Sequence, residues 1–275
     1  MALKITDPKY LCAAIDCNRG RVYYDLTLDD DQRFYFDSVT TIINGTLHKG
    51  HGFDKWLGDS LSYDHAMKYA EKKALEGTIT HDYIDLLIQG HEVDCTVGYY
   101  DQRSDKTHKV GDPVKKRLLG FMRFLEEHDP KFIASELPLF NPRKYKGSYN
   151  YPFAGCVDMI AEIDGELWLL DTKTGNAYEK SHELQLTAYK ILWDSMYAKD
   201  YGEIKRVGSL YIGDGWRIKP TFKLKEYTFR PDVWTMVLEL YKYIYQDKKS
   251  GDLANPKFKA IHPDQFKITQ GEEDE

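Results

Sequence analysis

From Phe153 to Lys173 two mainly apolar runs flank a short polar break, in the manner of two paired strands. Phe153–Ile163 is rich in β-branched and apolar residues, Asp164-Gly165 is a two-residue turn signal, and Glu166–Lys173 returns. A turn of that length fixes the register. Ile163 faces Glu166, and counting outward places Asp158 directly opposite Asp171. The period then changes. Leu184, Ala188, Ile191 and Leu192 fall at helical spacing, with Ser181-His182-Glu183 as cap and first turn. Gln185 and Tyr189, four apart, stack on one face of that helix.

Upstream, Arg21–Thr27 and Arg33–Phe36 predict two strands joined by the acidic turn Leu28–Gln32, and Ser38 is placed to cap a short helix. His51–Leu57 and Tyr63–Leu75 predict helices with Trp56, Ala66, Tyr69 and Ala70 inward. Gly77 is suited to a left-handed cap, after which Thr78 or Thr80 opens a further helix with the stripe Ile84, Leu87 and Ile88. His81, three before Ile84, shares that stripe. His91–Gly111 is polar and predicts a mobile connection or lid. Pro113–Glu127 is amphipathic through Val114, Leu118, Leu119, Phe121, Met122 and Leu125, and Phe132–Phe140 predicts a strand. After the central hairpin and helix come a strand at Arg206–Ile212 and one or two more within Ile218–Phe229. A helix opened by Pro231 follows, with Trp234, Val237, Leu238 and Tyr241 inward, to about Gln246. From Lys248 the chain is polar and ends in an acidic run, which predicts disorder. The alternation of strands and helices makes the class α/β.

Length and charge narrow the function. With 275 residues, 42% of them hydrophobic, the chain can bury one large core or a core with an added lobe. A net charge of −6 excludes a generally basic nucleic-acid binder. Any phosphate-binding surface rests on local clusters such as Lys115-Lys116-Arg117 or Arg143-Lys144-Tyr145-Lys146, each of which is otherwise a solvated face. The four cysteines form no C-x-x-C spacing, so reduced thiols and no iron–sulfur cluster are expected. No signal peptide, basic presequence or spanning apolar run is present, and a soluble cytoplasmic protein without membrane contact is expected.

The chemistry concentrates on the hairpin. Opposed side chains have Cβ atoms roughly 4.5–5.5 Å apart. Two carboxylates that close, flanked by Leu169, Leu170 and Ile160, repel each other unless a cation lies between them. A solvated pair on an exposed hairpin face is the alternative. Lys173, two residues past Asp171, points to the same face.

In order, these residues make G-x-x-D (Gly155 to Asp158), D-x-K (Asp171 to Lys173) and Q-x-x-x-Y (Gln185 to Tyr189). The set resembles the PD-(D/E)xK nuclease superfamily in its RecB-like branch. That branch includes phage exonucleases, CRISPR-adaptation nucleases and the mitochondrial genome maintenance exonuclease. The resemblance reaches back to Ser38-Val39-Thr40-Thr41-Ile42, to Gly77-Thr78-Ile79-Thr80-His81 as G-T-x-x-H, and to Glu136-Leu137-Pro138 as E-x-P. It implies a restriction-endonuclease-like core, a mixed central sheet flanked by helices, at 131–248. It also implies an N-terminal mostly helical region, 1–130, arching over the site, followed by the polar tail 249–275.

It further implies that Asp158, Asp171, the Thr172 carbonyl and His81 hold Mg2+ or Mn2+, and that Lys173 orients or deprotonates the attacking water. Glu136 would be a ligand or a supporting acid, and Gln185 and Tyr189 would steady Lys173 or touch the DNA. Spacing alone favours a satisfied core histidine at His81, and leaves Glu136 equally a surface carboxylate on an edge strand. The implied function is a divalent-metal-dependent DNA exonuclease acting on single-stranded ends, in repair or recombination. A phage origin fits the relatives. No helicase motif is present, so a helicase or recombinase partner would be a separate chain. A structure-specific endonuclease of the same superfamily, or a DNA-binding recombination accessory protein without turnover, are the alternatives.

Overall fold

The computed structural model describes residues 3–5, 12–17, 20–25, 35–47, 50–101, 104–140, 151–175 and 179–245. The acidic turn 28–32, the basic cluster 143–146 and the tail 249–275 lie outside the described residues.

Three strands open the chain: β1 (Cys12–Cys17), β2 (Gly20–Asp25) and β3 (Tyr35–Ser38). Ser38 then caps α1 (Val39–Thr46), its hydroxyl accepting the Thr41 N–H at 2.9 Å. Two helices follow, α2 (His51–Gly58) and α3 (Tyr63–Ile88). A small hairpin, β4 (Tyr99–Asp101) and β5 (Lys106–His108), leads to α4 (Asp112–His128) and the long strand β6 (Lys131–Phe140). The central hairpin is β7 (Phe153–Ile163) and β8 (Glu166–Lys173), followed by α5 (Glu179–Met196) and the short α6 (Ala198–Tyr201). The described part closes with β9 (Arg206–Ile212), β10 (Phe222–Tyr227) and α7 (Pro231–Tyr245).

Eight strands form one mixed sheet in the order β1-β2-β3-β7-β8-β9-β10, with β6 on the other edge of β7. The β3–β7 and β8–β9 pairs are parallel and the rest antiparallel. Helices cover both faces. Against one face pack α1, α5 and α7 through Ile42, Trp193 and Trp234; against the other pack α3 and α4 through Ile84, Phe121 and Phe124. This is the expected α/β architecture with a restriction-endonuclease-like core. The strands β1 to β3 belong to the same sheet as that core. Among the described residues no helix is long and apolar enough to cross a membrane.

Several local expectations are corrected. Gly77 ends nothing: α3 runs through it as one helix of 26 residues. Glycine lowers helix propensity by only about 1 kcal/mol, and here the missing side chain serves a close approach, since a Cβ would lie 3.3 Å from Thr174 Oγ1. On α2 nothing is buried, so Trp56 is not a core residue, and Tyr69 is 50% exposed because this half of α3 has few neighbours. Leu119 and Met122 on α4 are likewise exposed, and Phe124 takes the buried position. The polar stretch 91–111 contains the β4–β5 hairpin. Residues 218–229 hold one strand, as expected, whereas Ser181 does not cap α5 but lies inside its first turn, which already includes Glu179.

Two members of the Lys115-Lys116-Arg117 cluster are structural. Arg117 is 3% exposed and binds Asp214 at 2.8 Å, with Glu76 at 3.7 Å. Lys116 donates to the Trp216 carbonyl and lies over its ring. The two cations pin the loop after β9 onto α4, so apolar periodicity could not have foretold their use.

Candidate active site

One edge of β7 is shared between two partners. Phe153 and Ala154 pair with β3, and Met159 to Ile163 pair with β8. The register of the second ladder is the one the Asp164-Gly165 turn dictates, Ile163 opposite Glu166 through Met159 opposite Leu170. The ladder stops one step short of Asp158 and Asp171. In its place the Asp158 carboxylate accepts the Thr172 backbone N–H at 2.6 Å. Gly155 to Asp158 therefore lie between two ladders, and side chains from both faces of the sheet reach this gap.

Glu136 completes a row. On β6, the pairs Ser135 with Met159 and Leu137 with Val157 bracket Glu136 and Asp158. Three carboxylates thus occupy neighbouring positions on β6, β7 and β8. Glu136 has φ +44°, a left-handed backbone inside a strand. Such a conformation costs roughly 1–3 kcal/mol and collects at functional sites. The Cys156 thiol donates to the Glu136 carboxylate at 3.4 Å.

From one face α5 supplies Gln185 and Tyr189, both buried. Gln185 Oε1 accepts from Lys173 Nζ at 2.9 Å, while its Nε2 donates to Asp171 Oδ1 at 3.1 Å and to the Tyr189 hydroxyl at 3.0 Å. Lys173 forms an ion pair with Asp171. Gln185 thus touches Lys173, Asp171 and Tyr189 at once. The glycine of G-x-x-D also gains a reason, because a Cβ on Gly155 would lie 2.3 Å from the Tyr189 ring. Gly155→Ala should displace that ring and, through Gln185, the lysine. We expect a Tm lower by several degrees, from an overpacking cost of about 1–3 kcal/mol, and a reduced kcat in the folded variant. An unchanged kcat in the folded variant would separate Tyr189 from Lys173.

From the other face α3 supplies His81, whose Nδ1 lies 3.2 Å from Asp158 Oδ2. Ligand atoms of His81, Glu136 and Asp158 all lie within 4.8 Å of one another. Asp171 stands outside that trio, held by Lys173 and Gln185, and Thr172 presents its N–H to Asp158.

The charges are unbalanced. Burial would raise the Asp158 carboxyl, yet His81, Lys173 and the Thr172 N–H hold it below the ordinary range. Glu136 is an exposed residue, yet its carboxylate sits among the other acids. Its carboxylate loses hydration in the crowded cleft and is pushed up to about 8, with the Asp158 charge adding. Burial pushes Asp171 up to about 6 against the pull of Lys173. Burial opposes protonation of His81, but Asp158, Glu136 and Asp171 outweigh it and raise the imidazole to about 9. In the same way the acids overcome burial at Lys173 and keep it charged. Carboxylates plus one imidazole suit a hard divalent cation, and such an ion would relieve the repulsion that raises Glu136 and Asp171. The residues present fit a divalent metal.

A pH dependence follows. Asp171, Glu136 and His81 have folded pKa values above their ordinary 3.8, 4.5 and 6.5. Each binds more protons folded than unfolded, so metal-free stability must fall as pH rises through these windows. Asp158, lowered, acts in the opposite sense only below its ordinary 3.8. Between pH 5 and 9 the metal-free Tm should drop by about 5 °C, and manganese should restore more of it at pH 9 than at pH 5, because fewer protons compete for His81 and Glu136 there. Thermal scans with chelator and with saturating manganese check this; a metal-free Tm that climbs over that range would contradict the crowding.

One cluster escaped the sequence reading. His182 Nδ1 lies 2.7 Å from the Tyr211 hydroxyl, which is 2.6 Å from that of Tyr227. Burial lowers His182 to about 4, and it is neutral. Tyr211 stands beside Lys173 in the β8–β9 register. Three residues on three elements leave no local spacing to detect.

A sequence model of the PD-(D/E)XK nuclease superfamily matches residues 62–266, a span that includes every site residue from His81 to Tyr189. No curated protein matches the chain significantly. Among solved structures the chain is similar to the SSO0001 protein, at 14% identity and TM-score 0.30, over 56% of this chain and 71% of that one. It is also similar to a protein from Eubacterium rectale named "Putative exonuclease", at 8% identity and TM-score 0.39, over 66% of this chain and 68% of that one.

Proposed function

This chain belongs to the PD-(D/E)XK nuclease superfamily, and on that premise we propose that it is a divalent-metal-dependent DNA exonuclease of the RecB-like branch acting on single-stranded ends. The observation that carries the reading is the gap in β7. It gathers His81, Glu136 and Asp158 into one ligand cluster with Asp171 and Lys173 alongside. The branch rests on the motif set, since Gly155, Gln185 and Tyr189 form one packed unit behind Lys173. In this reading the region 1–130 carries His81 to the core at 131–248 and lies over the entering strand.

His81, Glu136 and Asp158 would hold the cation, with Asp171 and the Thr172 carbonyl at its edge. A bound divalent cation supplies positive charge for the transition state of phosphodiester hydrolysis and acidifies water. The protein's own residues do the rest. Lys173, kept charged by Asp171 and Asp158, orients the attacking water and offsets charge developing on the phosphate. A protonated ammonium is not a base, so its role is electrostatic. Gln185 fixes the lysine by accepting from it while donating to Asp171, and Tyr189 fixes Gln185.

The test uses end-labelled single- and double-stranded DNA with magnesium, manganese or chelator, beside covalently closed single-stranded circles. Linear single strands should release nucleotides only with metal, and circles should survive. Rapid cutting of circles by the pure protein would move the reading to an endonuclease of the same superfamily. Binding without any turnover in either metal would make it an accessory DNA-binding protein.

A further inference from the structure

We propose that the groove between α3 and the β4–β5 hairpin is a nucleobase subsite, taking the base of a nucleotide next to the scissile phosphate and favouring amino-bearing bases over thymine. The proposal rests on the nuclease reading above and extends it to base preference. The groove has a volume of about 510 Å³, within the range of roughly 300–1,000 Å³ usual for small-ligand sites. Tyr99, Tyr100 and Asp101 line it from the hairpin, and Asp82, Tyr83 and Asp85 from the helix.

Its position ties it to the chemistry. Asp82 follows His81 directly on α3. Asp85 accepts a hydrogen bond from Ser135, the residue before Glu136 on β6. The groove thus shares α3 with His81, and its Asp85 is near enough to Glu136 to add to the charge crowding there, which puts the groove within reach of a nucleoside whose phosphate the His81–Glu136–Asp158 cluster holds.

The wall is preformed. The Tyr99 hydroxyl donates to Asp82, and the Tyr83 and Tyr99 rings meet edge to face at 6.0 Å. At Gly98 a Cβ would lie 2.5 Å from the Thr107 side chain, so the two hairpin strands approach closely at its base. These contacts hold tyrosine rings along the groove, and aromatic rings are platforms for unpaired bases.

The lining also dictates which part of a nucleotide enters. Three aspartates repel a phosphodiester, so the backbone stays out and the base goes in. Asp82 accepts from Tyr99, and Asp85 from Ser135 and Gln89. A carboxylate has about four acceptor sites, so acceptor capacity remains for a ligand. Adenine, cytosine and guanine present exocyclic amino groups, each with two N–H donors, to such acceptors, whereas thymine has no amino group and offers only its N3–H, set between two carbonyl oxygens that the aspartates repel.

The experiment walks a single 2-aminopurine along an oligodeoxynucleotide and reads its fluorescence on binding to the wild-type protein with chelator and to Asp171→Asn with magnesium. Strong quenching at one position only is expected, lost in Tyr99→Leu or Tyr100→Leu, the second being a 55% exposed residue whose replacement spares the fold. In a cleavage arm, thymine at that position should slow wild-type cleavage about tenfold relative to adenine or cytosine, and Asp82→Asn should narrow the difference to about twofold. Uniform quenching along the strand, or quenching unchanged in both tyrosine variants, would overturn the subsite even where cleavage is intact. Absence of cleavage of any DNA would overturn the nuclease reading, and position-specific quenching would still stand.

Discussion

Asp158→Asn will reduce cleavage by about a thousandfold or more, the effect of losing several kcal/mol of transition-state charge stabilisation, and will weaken manganese binding without unfolding the protein. Asp158 is the junction of the site. It lies between Glu136 and Asp171 in the row of acids, faces His81 at 3.2 Å, and accepts the Thr172 N–H at 2.6 Å. Asparagine keeps a carbonyl oxygen for Thr172, so the gap between the ladders should hold its shape. What it removes is the charge that pairs with His81 and would pair with the metal. With that charge gone the imidazole loses the largest influence raising it and should titrate lower. The measurements are single-turnover cleavage, a manganese titration by calorimetry, and the His81 titration by NMR. Wild-type turnover in a folded Asp158→Asn would remove this residue from the chemistry.

Lys173→Met will lower kcat by about 10²–10³-fold, as loss of one transition-state donor does, with DNA affinity changed only slightly. The ammonium is held in place by Asp171 and Gln185 and so is aimed before substrate arrives. An interaction made chiefly in the transition state appears in kcat and not in binding. Arginine should not rescue it, since a planar fork cannot reproduce a point donor packed against Gln185. The variant also leaves Asp171 buried without its cation, so its metal-free Tm should fall. If DNA affinity fell in proportion to kcat, Lys173 would be a phosphate anchor only.

The central hairpin was legible because a two-residue turn leaves one register, and a strand period of two then determines which side chains share a face. The Ser38 cap, the apolar stripe of α5 and its Gln185–Tyr189 pair were legible for the same reason: spacing within one element is set by backbone geometry. Gly77 was misjudged because glycine signals backbone freedom and close approach alike, and only Thr174, 97 residues away in the chain, decides between them. Arg117 was misjudged because a basic run looks alike whether it is solvated or buried against Asp214. The left-handed backbone of Glu136 has no signature in a sequence that otherwise spells a strand.

The chain by itself determined the hairpin, its facing acids, the lysine beside them and the helical pair that follows, since all of these lie within the 37 residues from Phe153 to Tyr189 and each spacing is set inside one element or by the two-residue turn. Only the tertiary structure decided that His81 faces Asp158 and that Glu136 stands in the same row. Those placements depend on two apolar cores packing onto opposite faces of one sheet, and on β7 being shared between β3 and β8 so that a gap opens at Asp158. Contacts across such separations are selected by the packing of whole elements, which no local periodicity encodes.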